Sequence, residues 1–271
     1  MSFKSALKSL GFAIVFPVAS LAQADSILVQ STTSTKNSGL YDYLLPIAKA
    51  DTGLTVNVVA VGTGQAIKNA ANCDGDVLLV HAKASEEKFV KSGFGVERFD
   101  LMYNDFIVVG PGNDPAGISG SRDIAASLTA IAAKKALFAS RGDDSGTHKA
   151  ELRLWEVAAT DPTIGSGEWY RETGSGMGAT LNAAVGMGAY AMTDRATWTK
   201  FGNKGDFKIH VEGDKRLFNQ YGVILVNGKK CPSVKTEAGQ RFISWLISDR
   251  GQQAIAAYKV NGDQLFFPNA K

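Results

Sequence analysis

The chain has 271 residues, a formal net charge of +3 and 45% hydrophobic residues, enough for one large globular domain or two of medium size. A near-neutral balance with no Lys/Arg cluster excludes the concentrated basic footprint of a nucleic-acid-binding protein. Three histidines and two cysteines without a CxxC pair argue against a structural zinc site, and no free metal cation is expected to bind.

Residues 1–24 read as a secretory signal. Lys4 and Lys8 precede the apolar run LGFAIVFPVASL, and Ala22-Gln23-Ala24 offers small residues for cleavage before Asp25. The run is short and interrupted by Pro17, and no later stretch approaches the ~20 apolar residues of a spanning helix. A periplasmic protein of 247 residues is expected, its +3 reduced to about +1 by loss of the two lysines. No cysteine sits near the cleavage point, which excludes a lipid anchor there. In an oxidising compartment Cys73 and Cys231 either pair or remain as two thiols.

Short apolar strands then alternate with amphipathic helices, which predicts an α/β fold. ILVQ (27–30), TVNVVAV (55–61) and DVLLVH (76–81) are the first strands. Leu40, Leu44 and Ile47 recur at helical spacing between the first two, with Pro46 expected to kink or shorten that helix. Gln65–Ala71 predicts a short helix, and Ser85 caps another over EEKFVKSG. DFIVVG (105–110) is the next strand, followed by the loop PGNDPAGISG. A second series contains a helix over SRDIAASLTAIAAKK, the strand-like ALFAS, and a helix from Thr147 with Leu152, Trp155 and Ala159 on one face. GMGATLNAA is helical, GAYAMTD, DFKIHV and YGVILVN are strands, and TEAGQRFISWLIS and RGQQAIAAYK close the chain as helices. Two α/β series with a returning C-terminal segment suggest two lobes, with a ligand cleft between them.

Three turns share one grammar: a strand ends, hydroxyl and glycine residues follow, and a helix begins. They are STTSTKNSG (31–39), VGTGQA (61–66) and SRGDDSGTH (140–148). Each exposes backbone N–H groups and hydroxyls at a helix start, where a small anion is stabilised. Each alone reads first as an ordinary N-cap. VGTGQA lacks the third glycine of a dinucleotide fingerprint, and no phosphate-loop motif GxxxxGK[ST] occurs. In the third turn Arg141 supplies a forked cationic donor suited to a tetrahedral oxyanion, with Asp143 or Asp144 either holding it or simply starting the helix. A different reading makes Ser145 a nucleophile and His148 its base in a secreted hydrolase; no GxSxG elbow supports it. His81, after DVLLV, reads as a packed or hydrogen-bonded residue rather than a metal ligand.

STTS, AVGTGQA, DVLLVHA, MYNDFIVVGP, SRGDDSGTH, GMGATLNAA and AYAMTDR occur in this order, so that residues 29 to 226 resemble the tungstate-binding components of ABC importers. The chain is more distantly similar to molybdate- and phosphate-binding proteins, whose anion loops share the R-x-x-x-S-G-T spacing. The resemblance implies a two-lobed, type II periplasmic binding protein, each lobe a mixed sheet flanked by helices. Residues 25–105 and 220–271 would form one lobe and 106–219 the other, joined by a two-stranded hinge near Asp105–Val109 and Asn219–Val223. Both cysteines would then lie in the first lobe. Thr33, Ser34 and Thr63 from the first lobe and Arg141, Ser145, Gly146 and Thr147 from the second would bind the oxyanion. No catalytic residue and no cofactor are implied; the ligand is tungstate, alternatively molybdate or phosphate. The expected partner of this monomer is an ABC permease in the membrane. Tungstate and molybdate carry no proton near neutral pH, so their site needs donors and no acceptor. Hydrogenphosphate would want a buried acceptor, for which Asp76 and Asp144 are available.

Overall fold

The computed structural model of the chain describes residues 25–270, so the expected signal at 1–24 lies outside the described residues. The first series runs β1 (Ser26–Thr32), α1 (Thr33–Asn37), α2 (Leu40–Thr52), β2 (Thr55–Val61), α3 (Thr63–Ala71), β3 (Val77–Val80), α4 (Lys83–Lys91) and β4 (Gly95–Gly110). The second runs α5 (Ile124–Ala133), β5 (Phe138–Ser140), α6 (Gly146–Val157), β6 (Tyr170–Glu172), α7 (Met177–Met187), β7 (Tyr190–Asp194), α8 (Arg195–Lys200) and β8 (Lys208–Val211). The return is made by β9 (Phe218–Val226), α9 (Thr236–Ile247) and α10 (Asp249–Ala257). No helix among the described residues is long and apolar enough to cross a membrane.

The sheet order is β2-β1-β3-β9-β4-β7-β5-β6, with β8 also on β4. β1 lies parallel to β2 and β3, and β5 parallel to β6 and β7, as crossover helices require. The continuous apolar run of β3 is explained by burial of both its faces. Val77 and Leu79 enter one core with Leu44 and Phe242, while Leu78 and Val80 enter another with Ala66 and Phe89. Two further cores, around Phe138 and Trp155 and around Leu181 and Trp198, belong to the second series.

β4 is longer than the expected strand, beginning at Gly95 rather than Asp105. Its first part carries Glu97, Arg98 and Asp100, which mask the apolar signal. Arg98 Nε lies 2.6 Å from the buried Glu86 carboxylate, so the charge is satisfied inside the fold. Up to Asp105 β4 pairs with β9; from Phe106 it pairs with β7. One strand thus passes through both halves of the sheet, and β9 brings the chain back. α2 continues through Pro46 to Thr52 instead of being shortened by it, since packing of Leu40, Leu44 and Ala48 outweighs one lost backbone bond. α4 starts at Lys83, which places Ser85 inside the helix rather than at its cap. Cys73 after α3 is bonded to Cys231 after β9, with Cα atoms 5.2 Å apart. This bond staples the outgoing and returning passes of the chain and typically contributes about 2–4 kcal/mol.

The buried face of α6 differs from expectation. Leu152 is 40% exposed, whereas Glu151 is 2% exposed. An inward carboxylate is tolerated because three donors reach it: Ser140 Oγ at 2.9 Å, Trp155 Nε1 at 3.2 Å and the Tyr170 hydroxyl at 2.7 Å. Burial nevertheless pushes Glu151 up to about 7, against an ordinary 4.5. Between those values the folded chain keeps a proton that the unfolded chain has released, so this residue's contribution to stability is lost as pH rises. Urea unfolding of the parent and of Glu151→Gln is therefore expected to differ in slope, the variant gaining stability relative to the parent as pH rises from ~4.5 to ~7. An unaltered slope in the variant would contradict the assignment.

Candidate functional site

Each of the three turns emerges from a strand and enters a helix. At the first, the Thr32 side chain caps α1 by accepting from the Thr35 amide, so that cap is Thr32 rather than Thr33 or Ser34. Those two side chains are left for other work. At the second, Gly62 is the extended N-cap residue of α3 and Thr63 the first helical residue, with no side-chain cap bond. At the third, Ser145 caps α6, its Oγ accepting from the His148 amide at 3.1 Å; the serine O–H proton remains free to donate.

Two hydrogen bonds tie the halves together here. Arg141 Nη1 donates to Ser34 Oγ at 3.3 Å, across 107 positions of sequence. The Gly146 amide donates to Thr63 Oγ1 at 2.8 Å, across 83 positions. The structure therefore brings Ser34, Thr63, Arg141, Ser145, Gly146 and Thr147 to one interface, and all of them are buried. Thr33 adjoins it: a Cβ built on Gly176, the N-cap of α7, would lie 3.9 Å from Thr33 Oγ1. α7 is thus a fourth element at this interface.

Three of these side chains hold polar atoms that are buried without a protein partner among the described residues: Thr33 Oγ1, Arg141 Nε and Thr147 Oγ1. Such groups cost roughly 1–3 kcal/mol each when left unpaired, which native proteins accept mainly at functional sites. All three can donate. Arg141 is 2% exposed and ion-paired with Asp143, while Asp144 is exposed and pairs with Lys149 at 2.8 Å. The guanidinium is held by the first of the two acids.

Two buried carboxylates are engaged by other parts of the chain. Asp76 accepts from the Leu28 amide at 2.8 Å and the Lys235 amide at 2.7 Å, a purely architectural role. Asp194, buried and electrostatically coupled to Arg141, has both oxygens engaged by Thr197, at 2.8 and 2.7 Å. His81, Asn219 and Asn104 form a buried chain behind the turns: His81 Nδ1 and Asn219 Oδ1 are 3.1 Å apart, and Asn219 Nδ2 donates to Asn104 Oδ1 at 2.7 Å. Burial, reinforced by the Arg141 charge, holds His81 down to about 4, so it is neutral at physiological pH; its Nε2 and Asn104 Nδ2 are also without a protein partner among the described residues. Lone polar residues inside strands carry no spacing signal, and only the position of His81 at a strand's C-terminal end hinted at this chain. His148 does not serve Ser145 as a base, because its Nδ1 accepts from the Asp144 amide at 3.2 Å.

The PBP superfamily domain matches residues 17–250. Over 249 residues the chain is 47% identical to the tungstate-binding protein TupA of Peptoclostridium acidaminophilum, covering 90% of this chain and 86% of that one. It is 39% identical to TupA of Campylobacter jejuni, covering 88% and 89%. The chain belongs to the tungstate-binding family of the PBP superfamily. A solved tungstate-binding protein, TupA from Desulfovibrio alaskensis G20, superposes with a TM-score of 0.79 at 47% identity, covering 92% of this chain and all of that one. The tungstate ABC transporter structure from Geobacter sulfurreducens also gives 0.79, at 45% identity and 86% and 98% coverage.

Gly146 provides a local test of the interface. A Cβ there would stand 2.9 Å from the His81 ring and 3.0 Å from Thr63 Oγ1, yet alanine is the better helix former by roughly 1 kcal/mol. Gly146→Ala should weaken oxyanion affinity at least about tenfold, since one clash of ~1.4 kcal/mol suffices and the helix-propensity gain at this first helical position does not offset it. Unchanged affinity by calorimetry would show that the halves do not meet this closely in the bound form.

Proposed function

We propose that the protein is an extracytoplasmic solute-binding protein, not an enzyme, that captures tungstate between its two halves and delivers it to an ABC permease in the membrane. The observation that carries this reading is the set of buried, unpaired donors Thr33 Oγ1, Arg141 Nε and Thr147 Oγ1, supplied from both sides of two cross-half hydrogen bonds. An unprotonated tetrahedral dianion accepts from every side and replaces the water those groups would otherwise need. Thr33, Ser34, Thr63, Arg141, Ser145, Gly146 and Thr147 are its proposed ligands. Because Gly146 N–H and Arg141 Nη1 already bond across the interface, binding redirects some existing bonds as well as filling unpaired ones.

The engagement of Asp76 and Asp194 by donors of the chain itself supports a ligand without a proton over hydrogenphosphate. Tungstate and molybdate share this chemistry; the likeness to tungstate-binding relatives favours tungstate. The lobes are 25–105 with 220–271, and 106–219, hinged where β4 changes partners and β9 returns. The chain acts as a monomer, exported by residues 1–24, without a cofactor.

Isothermal titration with tungstate, molybdate, sulfate and phosphate is the test. Tungstate should bind tightest and phosphate least; a phosphate preference, or no binding at all, contradicts the reading. Arg141→Ala should weaken tungstate binding by about 10- to 150-fold, the equivalent of one charge-assisted bond of ~1.5–3 kcal/mol.

A further inference from the structure

Four glycines at the interface are not required by backbone geometry. Gly62 and Gly64 open α3, Gly176 and Gly178 open α7, and none of the four has a positive φ. Gly64 and Gly178 lie inside their helices, where glycine is a poorer helix former than alanine. At α7 the fit across the interface is ordinary. A Cβ on Gly176 or Gly178 would meet Thr33 Oγ1 or Asn37 Nδ2 at 3.9 Å, a contact that alanine would tolerate. At α3 the two halves come closer. A Cβ on Gly62 would stand 3.5 Å from the Asp143 carbonyl oxygen. One on Gly64 would overlap Asp144 Oδ2 and stand 3.0 Å from Asp144 Cγ and 3.4 Å from the Asp144 carbonyl oxygen.

Asp144 is fixed in this position by its own half. Its amide donates to His148 Nδ1 at 3.2 Å, and its Oδ1 pairs with Lys149 at 2.8 Å, which leaves Oδ2 over Gly64. Its backbone is left-handed, with a φ of 56°, a conformation that aspartate tolerates better than most residues. On the other side, α3 has no side-chain cap and no acid in its first turn. The positive end of that helix is answered instead by a carboxylate and two carbonyl oxygens from the opposite half. Neither Asp144 nor Gly64 is among the proposed ion ligands.

We infer that Asp144 seated on Gly64 is a latch between the halves, which forms on closure and slows release of the bound ion. This rests on the two-lobed oxyanion reading above. Asp144 is a positioning residue, because it acts on the halves and not on the ion. Its carboxylate is exposed, so its effect is modest. A contact completed after the ion has entered lengthens the life of the complex and leaves the encounter rate alone. Glycine at 64 is what lets the carboxylate reach the start of α3.

Release of radiolabelled tungstate into an excess of unlabelled tungstate tests the latch in the mature protein. Four chains are compared: the parent, Gly64→Ala, Asp144→Asn and the double variant. Alanine at 64 displaces the carboxylate, while asparagine at 144 removes its charge and keeps both its size and its tolerance of positive φ. Each single variant should release the ion about two- to fivefold faster, with association unaltered. The double variant should be no faster than the faster single, because both changes remove one contact. Gly186→Ala, on α7 with nothing within 4 Å of the added carbon, should release at the parental rate. Parental release in either single variant, effects that multiply in the double, or a change confined to association would overturn the latch. A parent that does not bind tungstate would contradict the oxyanion reading instead. Small-angle scattering of the same four proteins without ligand then decides the latch, which requires a larger radius of gyration in both singles and no further increase in the double; equal radii contradict it.

Discussion

A dehydrated dianion can be held only by donors that the fold has already fixed, because each must replace a water molecule at full strength. That demand shapes this protein. Arg141 is 2% exposed and anchored through Asp143, so its guanidinium is aimed before any ligand arrives. Thr33 and Thr147 present hydroxyls without a partner among the described residues. Placing such groups inside a protein costs stability, and under the proposed reading an ion that accepts from them returns the cost as affinity.

The strand topology is compatible with the proposed hinge between the two halves. Most apolar cores are built within one series of elements, around Leu78 and Phe89 in the first and around Phe138 and Trp155 in the second. β4 belongs to both halves and changes partners between Asp105 and Phe106, while β9 brings the chain back beside it. Local change at these two strands can part the turns without breaking a core, consistent with hinge motion in two-domain binders. The polar chain from His81 through Asn219 to Asn104 links β3 to both crossing strands directly behind the site. The disulfide joins the turn after α3 to the turn after β9, away from the three donor turns.

Much of this was legible in the sequence. The strand–helix alternation, the three donor turns and the Arg141–Ser145–Thr147 spacing rest on local patterns that a chain displays openly. Other features depend on what meets what in space. The charged first part of β4 reads poorly as a strand because Arg98 needs Glu86, a helix residue, to be tolerated. Glu151 reads as an outward residue until Ser140, Trp155 and Tyr170 surround it. Asp143 and Asp144 are chemically alike and adjacent, and only the fold decides which one meets the guanidinium. Cys73 and Cys231 pair across 158 positions, a distance over which sequence alone sets no geometry.

The central claim is that turns from both halves donate directly to one ion. A crystal structure with tungstate bound, the metal located by its anomalous scattering, addresses it most directly. Ion oxygens should lie within about 2.7–3.2 Å of Thr33 Oγ1, Thr147 Oγ1 and an Arg141 nitrogen. An ion seated elsewhere, or one held by a single half while those atoms stay unpaired, would contradict the account.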